Sequence, residues 1–536
     1  MPAHPSLAPN VTAPTLTAAS STGPRRAPWL LATGALLAAL LAVLMVAPLK
    51  DDIAWLLYVA DNWLDGSRLY IDLVEVNPPL VIWLYAIPTV LARIGGLGVA
   101  VTTMPVLMAI VLGCAGWTAA IIAGGQRRQD PVILFCAIAL VLCLVPGGEF
   151  GQREHLLVAA ALPWLATLAR AIEGAPASRA TVIGAGVLGA IGCALKPQYL
   201  IAFAALEPLA LLHGLRPWRA GVLAAIGAAC VYAALVLLLE PAFLRDAVPL
   251  AFTIYGYTDV SLSAMLADCL LPLLTIGLGT LLLLRRRLPA GMALPAVLLL
   301  FTAGTTIACI LQSKTWFYHR IPAMVAAVLF LLAWLRESGP ALRAGLAART
   351  GRLAPALTAG LAVLLLLGGF GVDTGQRLAV KLDRAITSAD STEARLEALI
   401  RKYHARSYVA FSDWIALGFP VVNDTHVRWA SRFDSTWALS GEVWESKQPG
   451  APHASAHPIA TRMSTDFRRT CPDLVVVDRR ASIDYVQALA HADPGFLALW
   501  RSYDRVAAFD GLVIFKRRTA TDSVTGCRPT PLPRTG

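Results

Sequence analysis

The chain is short of charge. Only 15% of its 536 residues are Asp, Glu, Lys or Arg, against about 25% in an ordinary globular domain. That shortfall, with 57% apolar residues where soluble domains hold roughly 45–50%, excludes a solvated globular protein over most of the length. Acid is the scarcer sign, 34 residues against 45 basic ones. In a soluble chain such a balance points to nucleic acid. Here the arginines sit in short loops between apolar runs, so no solvated basic face exists and no nucleic-acid partner is expected. Cysteine is sparse, nine in all, and no CxxC or Cys/His spacing suggests a metal. Cys114, Cys136, Cys143, Cys193, Cys230, Cys269 and Cys309 fall in or beside apolar runs as small core residues. Cys471 and Cys527 lie in the C-terminal region and can pair if that region is extracytoplasmic. No long internal repeat is visible, which argues against the inverted halves of a secondary transporter.

What is present is a series of apolar runs of about 16 to 25 residues, the mark of a polytopic helical membrane protein. Residues 1–28, rich in Pro, Ala, Thr and Ser, read as a disordered cytoplasmic N-terminus. The first run, 29–49, follows Arg25 and Arg26 and is too long for the 7–15-residue core of a signal peptide. Further runs cover 79–93, 98–123, 131–146, 155–171, 179–195, 199–214, 219–239, 265–284, 290–311, 321–335 and 354–372. The second is short and opens on Pro78-Pro79. If it lies on the surface, then Arg127 and Arg128, Arg170 and Arg179, Arg216 and Arg219, Arg285 to Arg287, and Arg336, Arg343, Arg349 and Arg352 all fall on the cytoplasmic side. If it crosses, all of them flip outside. The sequence therefore predicts an all-α membrane domain over 29–372 with about eleven transmembrane helices plus outer-face surface helices. The tail, 373–536, has no run long enough to span. Helical spacing over 391–404 and buried-strand runs at 408–411, 474–477 and 512–515 predict an extracytoplasmic α/β domain.

This topology gathers the polar residues on one face. Asp51 and Asp52 end the first run. Glu75 follows in the next loop, then the segment Glu149 to His155, Lys196, Tyr255, Tyr257 and Asp259, and finally Lys314 to Arg320. Charge held at a membrane boundary is costly unless something uses it. The chemistry is therefore expected outside.

The order of these features resembles the GT-C superfamily of integral-membrane glycosyltransferases, and within it the protein O-mannosyltransferases and the aminoarabinose transferase of lipid A. Those families show an acidic pair after the first span, an amphipathic surface helix, and a Lys-Pro-Pro-Leu-type motif. Here these are Asp51-Asp52, the stretch from Ile53 to Leu64 with Trp55, Tyr58 and Trp63, and Asn77-Pro78-Pro79-Leu80, with Asn in place of Lys. A later acidic loop is matched by Gln152-Arg153-Glu154-His155, a Lys near Pro by Lys196-Pro197, and a Lys with Tyr-Tyr-x-x-Pro by Lys314, Phe317-Tyr318 and Pro322. The resemblance implies a sugar carried on a polyprenyl phosphate, moved to an envelope acceptor that is a lipid, a glycan or a protein.

Transfer needs a base for the acceptor and cations for the departing phosphate. Asp51 or Asp52 is the expected base of an inverting reaction, with Glu154 as second carboxylate. Arg153, Lys196, Lys314 and Arg320 are expected at the donor phosphate. Glu75, His155, Tyr255, Tyr257, Tyr318 and His319 are expected to line the substrate pocket. No cofactor is required by this reading and no metal site is expected, although Asp52 with Glu154 would be the pair to share a divalent cation such as Mg or Mn. Ala-, Leu- and Arg-rich usage suggests a bacterium, which makes the location a multi-pass inner (plasma) membrane protein with a cytoplasmic N-terminus and a periplasmic C-terminal domain. A lipid-linked sugar transporter or flippase, a polysaccharide ligase, and a non-catalytic envelope assembly protein are the competing readings.

Overall fold

The computed structural model describes residues 26–125, 129–283, 291–347, 353–448 and 458–518. Arg127, Arg128, Arg285, Arg286, Arg287, Arg349, Arg352 and Cys527 lie outside the described residues, as does almost all of the N-terminal stretch before residue 29. The apolar runs become helices. They are α1 (Arg26–Val46), α2 (Asp51–Leu64), α3 (Pro79–Gly95), α4 (Val99–Ala123), α5 (Pro131–Leu144), α6 (Arg153–Ile172), α7 (Arg179–Leu195), α8 (Leu200–Ala204), α9 (Glu207–Leu212), α10 (Ala220–Leu239), α11 (Val248–Ile254), α12 (Leu262–Asp268), α13 (Leu270–Leu283), α14 (Ala293–Leu311), α15 (Ile321–Ala347), α16 (Leu353–Leu364) and α17 (Val372–Ile386). Among the described residues seven helices are long and apolar enough to cross a membrane, or eight if the bent pair α12–α13 counts as one. That is fewer than the eleven crossings expected from the charges. The balance lies in α5 and α7, of 14 and 17 residues, and in the run 199–214, which breaks into α8 and α9; a straight crossing takes about 20 residues.

Two ends of the helical body differ in chemistry. At one end Arg26 pairs with Asp130 at 2.9 Å, Arg170 donates to the Ile121 carbonyl at the end of α4, and Arg336 binds Gln129. The other end carries α2, α3 and the C-terminal domain. Arg93, in the last turn of α3, pairs with Asp61 and Asp65 at 2.7 and 2.8 Å, at the far end of α2. Halfway along α3, Tyr85 donates to the Gly151 carbonyl at 2.7 Å, in the loop before α6. The first contact holds α3 beside α2, and the second holds it against the loop before α6.

The helix that follows α16 does not stop at residue 372. A π-helical turn, Leu365–Gly371, joins α16 to α17, which runs on to Ile386. The C-terminal domain then forms α18 (Thr392–Lys402), a five-stranded sheet and helices α19 (Val421–Thr425), α20 (Trp437–Glu445), α21 (Pro458–Thr470), α22 (Tyr485–Ala492) and α23 (Pro494–Trp500). The strands are β1 (Ser407–Phe411), β2 (Arg428–Trp429), β3 (Leu474–Asp478), β4 (Tyr503–Phe509) and β5 (Leu512–Arg517), ordered β2-β1-β3-β5-β4. β1 pairs parallel with β2 and β3, while β5 runs antiparallel between β3 and β4. β1 and β3 are buried at every position, as central strands covered on both faces must be. Asp510-Gly511, both at positive φ, makes the tight β4–β5 hairpin turn. Fold and fold class thus agree with the sequence in kind: a mostly helical membrane body with a small C-terminal α/β sheet.

The domain sits on α2 and on the loop between α2 and α3. The Val74 amide donates to the Arg432 carbonyl at 2.7 Å, and the Arg432 guanidinium donates to the Ile71 carbonyl at 3.3 Å. Phe419 packs on Trp55 and Tyr58 with ring centres 5.1 and 5.2 Å apart.

Candidate active site

α6 enters the site through a forced turn. Gly151 has φ +90°, and a Cβ there would sit 2.6 Å from Leu107, so only glycine fits. His155 Nδ1 accepts from the Gly151 amide at 3.0 Å. The turn delivers Arg153 and Glu154 as the first residues of α6, both buried. Asp52 meets them from the first turn of α2. Its carboxylate accepts from Gln152 Nε2 at 3.1 Å and pairs with Arg153 at 3.2 Å. Arg153 Nε stands 4.0 Å from Glu154. Lys196 Nζ and His319 Nδ1 approach Glu154 Oε1 to 3.5 and 3.1 Å, without hydrogen-bond alignment, so both Glu154 oxygens and Arg153 Nε are buried with bonding capacity to spare. The Tyr318 ring lies 5.6 Å beneath the Arg153 guanidinium and 4.4 Å from His319.

Six of the expected residues therefore converge: Asp52, Arg153, Glu154, Lys196, Tyr318 and His319. The two aspartates part company. Asp51, the first residue of α2, accepts from the Asp52 amide at 2.9 Å and pairs with Lys50 at 3.2 Å, and Lys50 also reaches Glu149 at 3.3 Å. Burial, and then the neighbouring charge of Asp52, raise the Asp51 pKa against the pull of Lys50. Burial works against the Lys50 ammonium, but Asp51 and Glu149 outweigh it and hold its pKa above the ordinary lysine value.

The other expected residues have partners of their own. Glu75 is buried and accepts from Trp55 Nε1 at 2.6 Å, from the amides of Val76 and Asn77 at 2.8 Å, and from Asn77 Nδ2 at 2.6 Å. His155 is committed to Gly151. Lys314 binds Asp259 and donates to the Tyr255 carbonyl at 2.7 Å. Arg320 pairs with Asp268 at 3.0 Å and lies over the Phe317 ring. Tyr255 stacks edge-on to Trp437 of α20 at 5.0 Å, and Tyr257 packs against Gly441 of the same helix.

One residue of the site is not marked in the sequence by any motif. Asp434, in the loop between β2 and α20, accepts from Trp437 Nε1 at 2.8 Å. Burial, followed by the charge of Glu75, pushes its pKa up to about 8, and Asp52 adds to the rise. Asp434 thus lies within electrostatic range of Glu75 and Asp52. A single Asp in a loop more than 350 residues beyond Glu75 offers no spacing signal.

For a cation, the donor set is thin. Among the described residues no three His, Cys, Asp or Glu converge as a metal would need, and Asp52 and Glu154 face the Arg153 guanidinium between them.

An acid-bearing helix after the first long helix, an α6 that starts with Arg and Glu beside those acids, and an α/β domain seated on that end make up a fold with solved counterparts. Two solved structures carry it. The crystal structure of ArnT from Cupriavidus metallidurans bound to undecaprenyl phosphate is 13% identical, covers 92% of this chain and 98% of its own, and superposes with a TM-score of 0.53. ArnT from the same organism in the apo state gives 14% identity, the same coverage and 0.52. No protein-family model and no curated protein sequence matches the chain.

Proposed function

We propose that the protein is a membrane glycosyltransferase that moves a sugar from a polyprenyl-phosphate donor to an envelope acceptor on the extracytoplasmic face. The observation that carries this is the buried cluster of Asp52, Arg153, Glu154, Lys196 and His319 at the end that holds the C-terminal domain. Its support is the fold shared with ArnT, whose crystal structure holds undecaprenyl phosphate. Asp52 is the base: its side chain keeps 16% of its surface accessible, whereas Glu154 keeps none. Asp52 takes the proton from the acceptor hydroxyl or amine as that atom attacks the anomeric carbon. The bond from that carbon to the phosphate oxygen breaks, and the oxygen keeps the electron pair. Attack from the face opposite the leaving phosphate inverts the anomeric centre. Arg153, with its uncommitted Nε, and Lys196 receive the new phosphate charge, since fixed cations act most strongly where water is excluded. Glu154 holds Arg153, Lys196 and His319 in place. Tyr318 supports Arg153 from beneath. Lys314 and Arg320 act one step back, by fixing the loops that carry Tyr255 and His319.

Below pH about 8 the Asp434 carboxyl is neutral and is able to donate a hydrogen bond to an oxygen of the entering acceptor. The test supplies radiolabelled polyprenyl-phosphate sugars to membranes with and without the protein and identifies the labelled product. Label that moves across the membrane while staying on the polyprenyl phosphate would instead support a flippase.

A further inference from the structure

Cys269 caps the end of α12 at the 71° bend into α13. Cys309 lies in the last turn of α14. Both are fully buried, packed with Met265 and flanked by Val260, Leu273 and Ile310. Their sulfurs stand 3.7 Å apart. A disulfide has an S–S distance of about 2.05 Å, so closure asks each sulfur to move by under about 1 Å. The pair lies on the side of the molecule that carries the C-terminal domain. The Val260 amide binds the Ser313 carbonyl at 2.9 Å, Lys314 donates to Tyr255, and Tyr255 stacks on Trp437 of that domain. In the same domain Cys471 is disulfide-bonded. Structural disulfides persist where the compartment is oxidising. Two thiols in contact on that side therefore meet the geometric and the chemical condition for a bond.

We infer that Cys269 and Cys309 are a redox-modified pair that closes an intramolecular disulfide, tying the α12–α13 bend to the outer end of α14. The two S–H bonds break, an S–S bond forms, and two protons and two electrons pass to a disulfide of a thiol–disulfide exchange partner, which becomes a dithiol. The bond would hold Asp268, next to Cys269, in register with Arg320. It depends on neither donor nor acceptor, so its failure would leave the transfer reaction untouched.

Full-length protein taken from its native membrane is denatured in an excess of one maleimide at mildly acidic pH, reduced, labelled with a second maleimide of different mass, and read by peptide mass spectrometry. Cys269 and Cys309 should both carry the second label, and an unreduced digest should contain their two peptides joined and lighter by two hydrogens. First label on both, or joining of either cysteine to another partner, overturns the inference. A second measurement guards against loss on extraction. C269A, C309A and the double variant should lower Tm by the same few degrees, because one bond is lost in each. Additive shifts from the two single variants would mean plain packing and would also overturn it.

Discussion

At the scale of single residues, the adjacent aspartates differ in what they touch. Asp51 is spent on Lys50 and on its own helix end, while Asp52 faces Arg153. General-base catalysis contributes about 100- to 10,000-fold. Asp52→Asn should therefore lower kcat by about 100-fold or more, with the protein still folded and inserted, while Asp51→Asn should cost under about tenfold; transfer assays on both variants in reconstituted membranes check this, and full activity in Asp52→Asn removes the proposed base. Asp434 gives a pH signature. Its folded pKa of about 8 lies above the unfolded value near 4, so the folded state holds the proton more tightly. The stability linked to that proton is complete below pH about 4 and is lost as pH rises through about 8. Asp434→Asn keeps the acceptor for Trp437 and removes the titration. Its Tm should exceed that of the native chain by a few degrees at pH about 9 and match it at pH about 4. Equal Tm at both ends of the range would show that Asp434 does not titrate in this window.

Helices and loops set how much could be read in advance. Asp51-Asp52, Arg153-Glu154 and Lys196 stand out because each is a charge at the edge of an apolar run, and such edges are where a membrane chain exposes its chemistry. The strands at 408–411, 474–477 and 512–515 stand out because buried strands are continuous apolar runs. β4 mixes exposed and half-buried positions after a buried Tyr503 and is pinned by its hairpin turn, a weaker signal. The break between α8 and α9 also escapes a hydropathy reading, since Glu207 is neutralised by Arg219 at 2.7 Å from a distant turn. Close helix contact is equally silent. α7 and α10 touch where a Cβ on Gly186 would fall 2.3 Å from the Gly221 carbonyl oxygen, and small residues are what permit such contact in a membrane. Gly186→Leu should push α10 away and lower Tm by several degrees, whereas Gly227→Ala, with open space around it on α10, should change it little; thermal unfolding of the two variants in detergent makes the comparison.

Over the whole molecule, the two ends are distinct. Arg26, Arg170 and Arg336 mark one end, and the site and the C-terminal domain mark the other. Positive charge in short loops stays on the cytoplasmic side, and a disulfide-bonded Cys471 belongs to an oxidising compartment. Both rules are consistent with the proposed orientation and rest on different residues and different physics. α6 links the two ends directly: Glu154 opens it inside the site and Arg170 lies in its last turn, 16 residues or about 24 Å further along at 1.5 Å per residue. Reporter fusions should therefore read cytoplasm in the turn at Gly174, just beyond Arg170, and periplasm at Lys447, beyond α20. Both signals on one side would mean that α6 does not cross and that the site lies within a leaflet. Exchanged signals would turn the cluster toward the cytoplasm, where an extracytoplasmic polyprenyl-phosphate donor could not reach it, and the proposed reaction would fall with the topology.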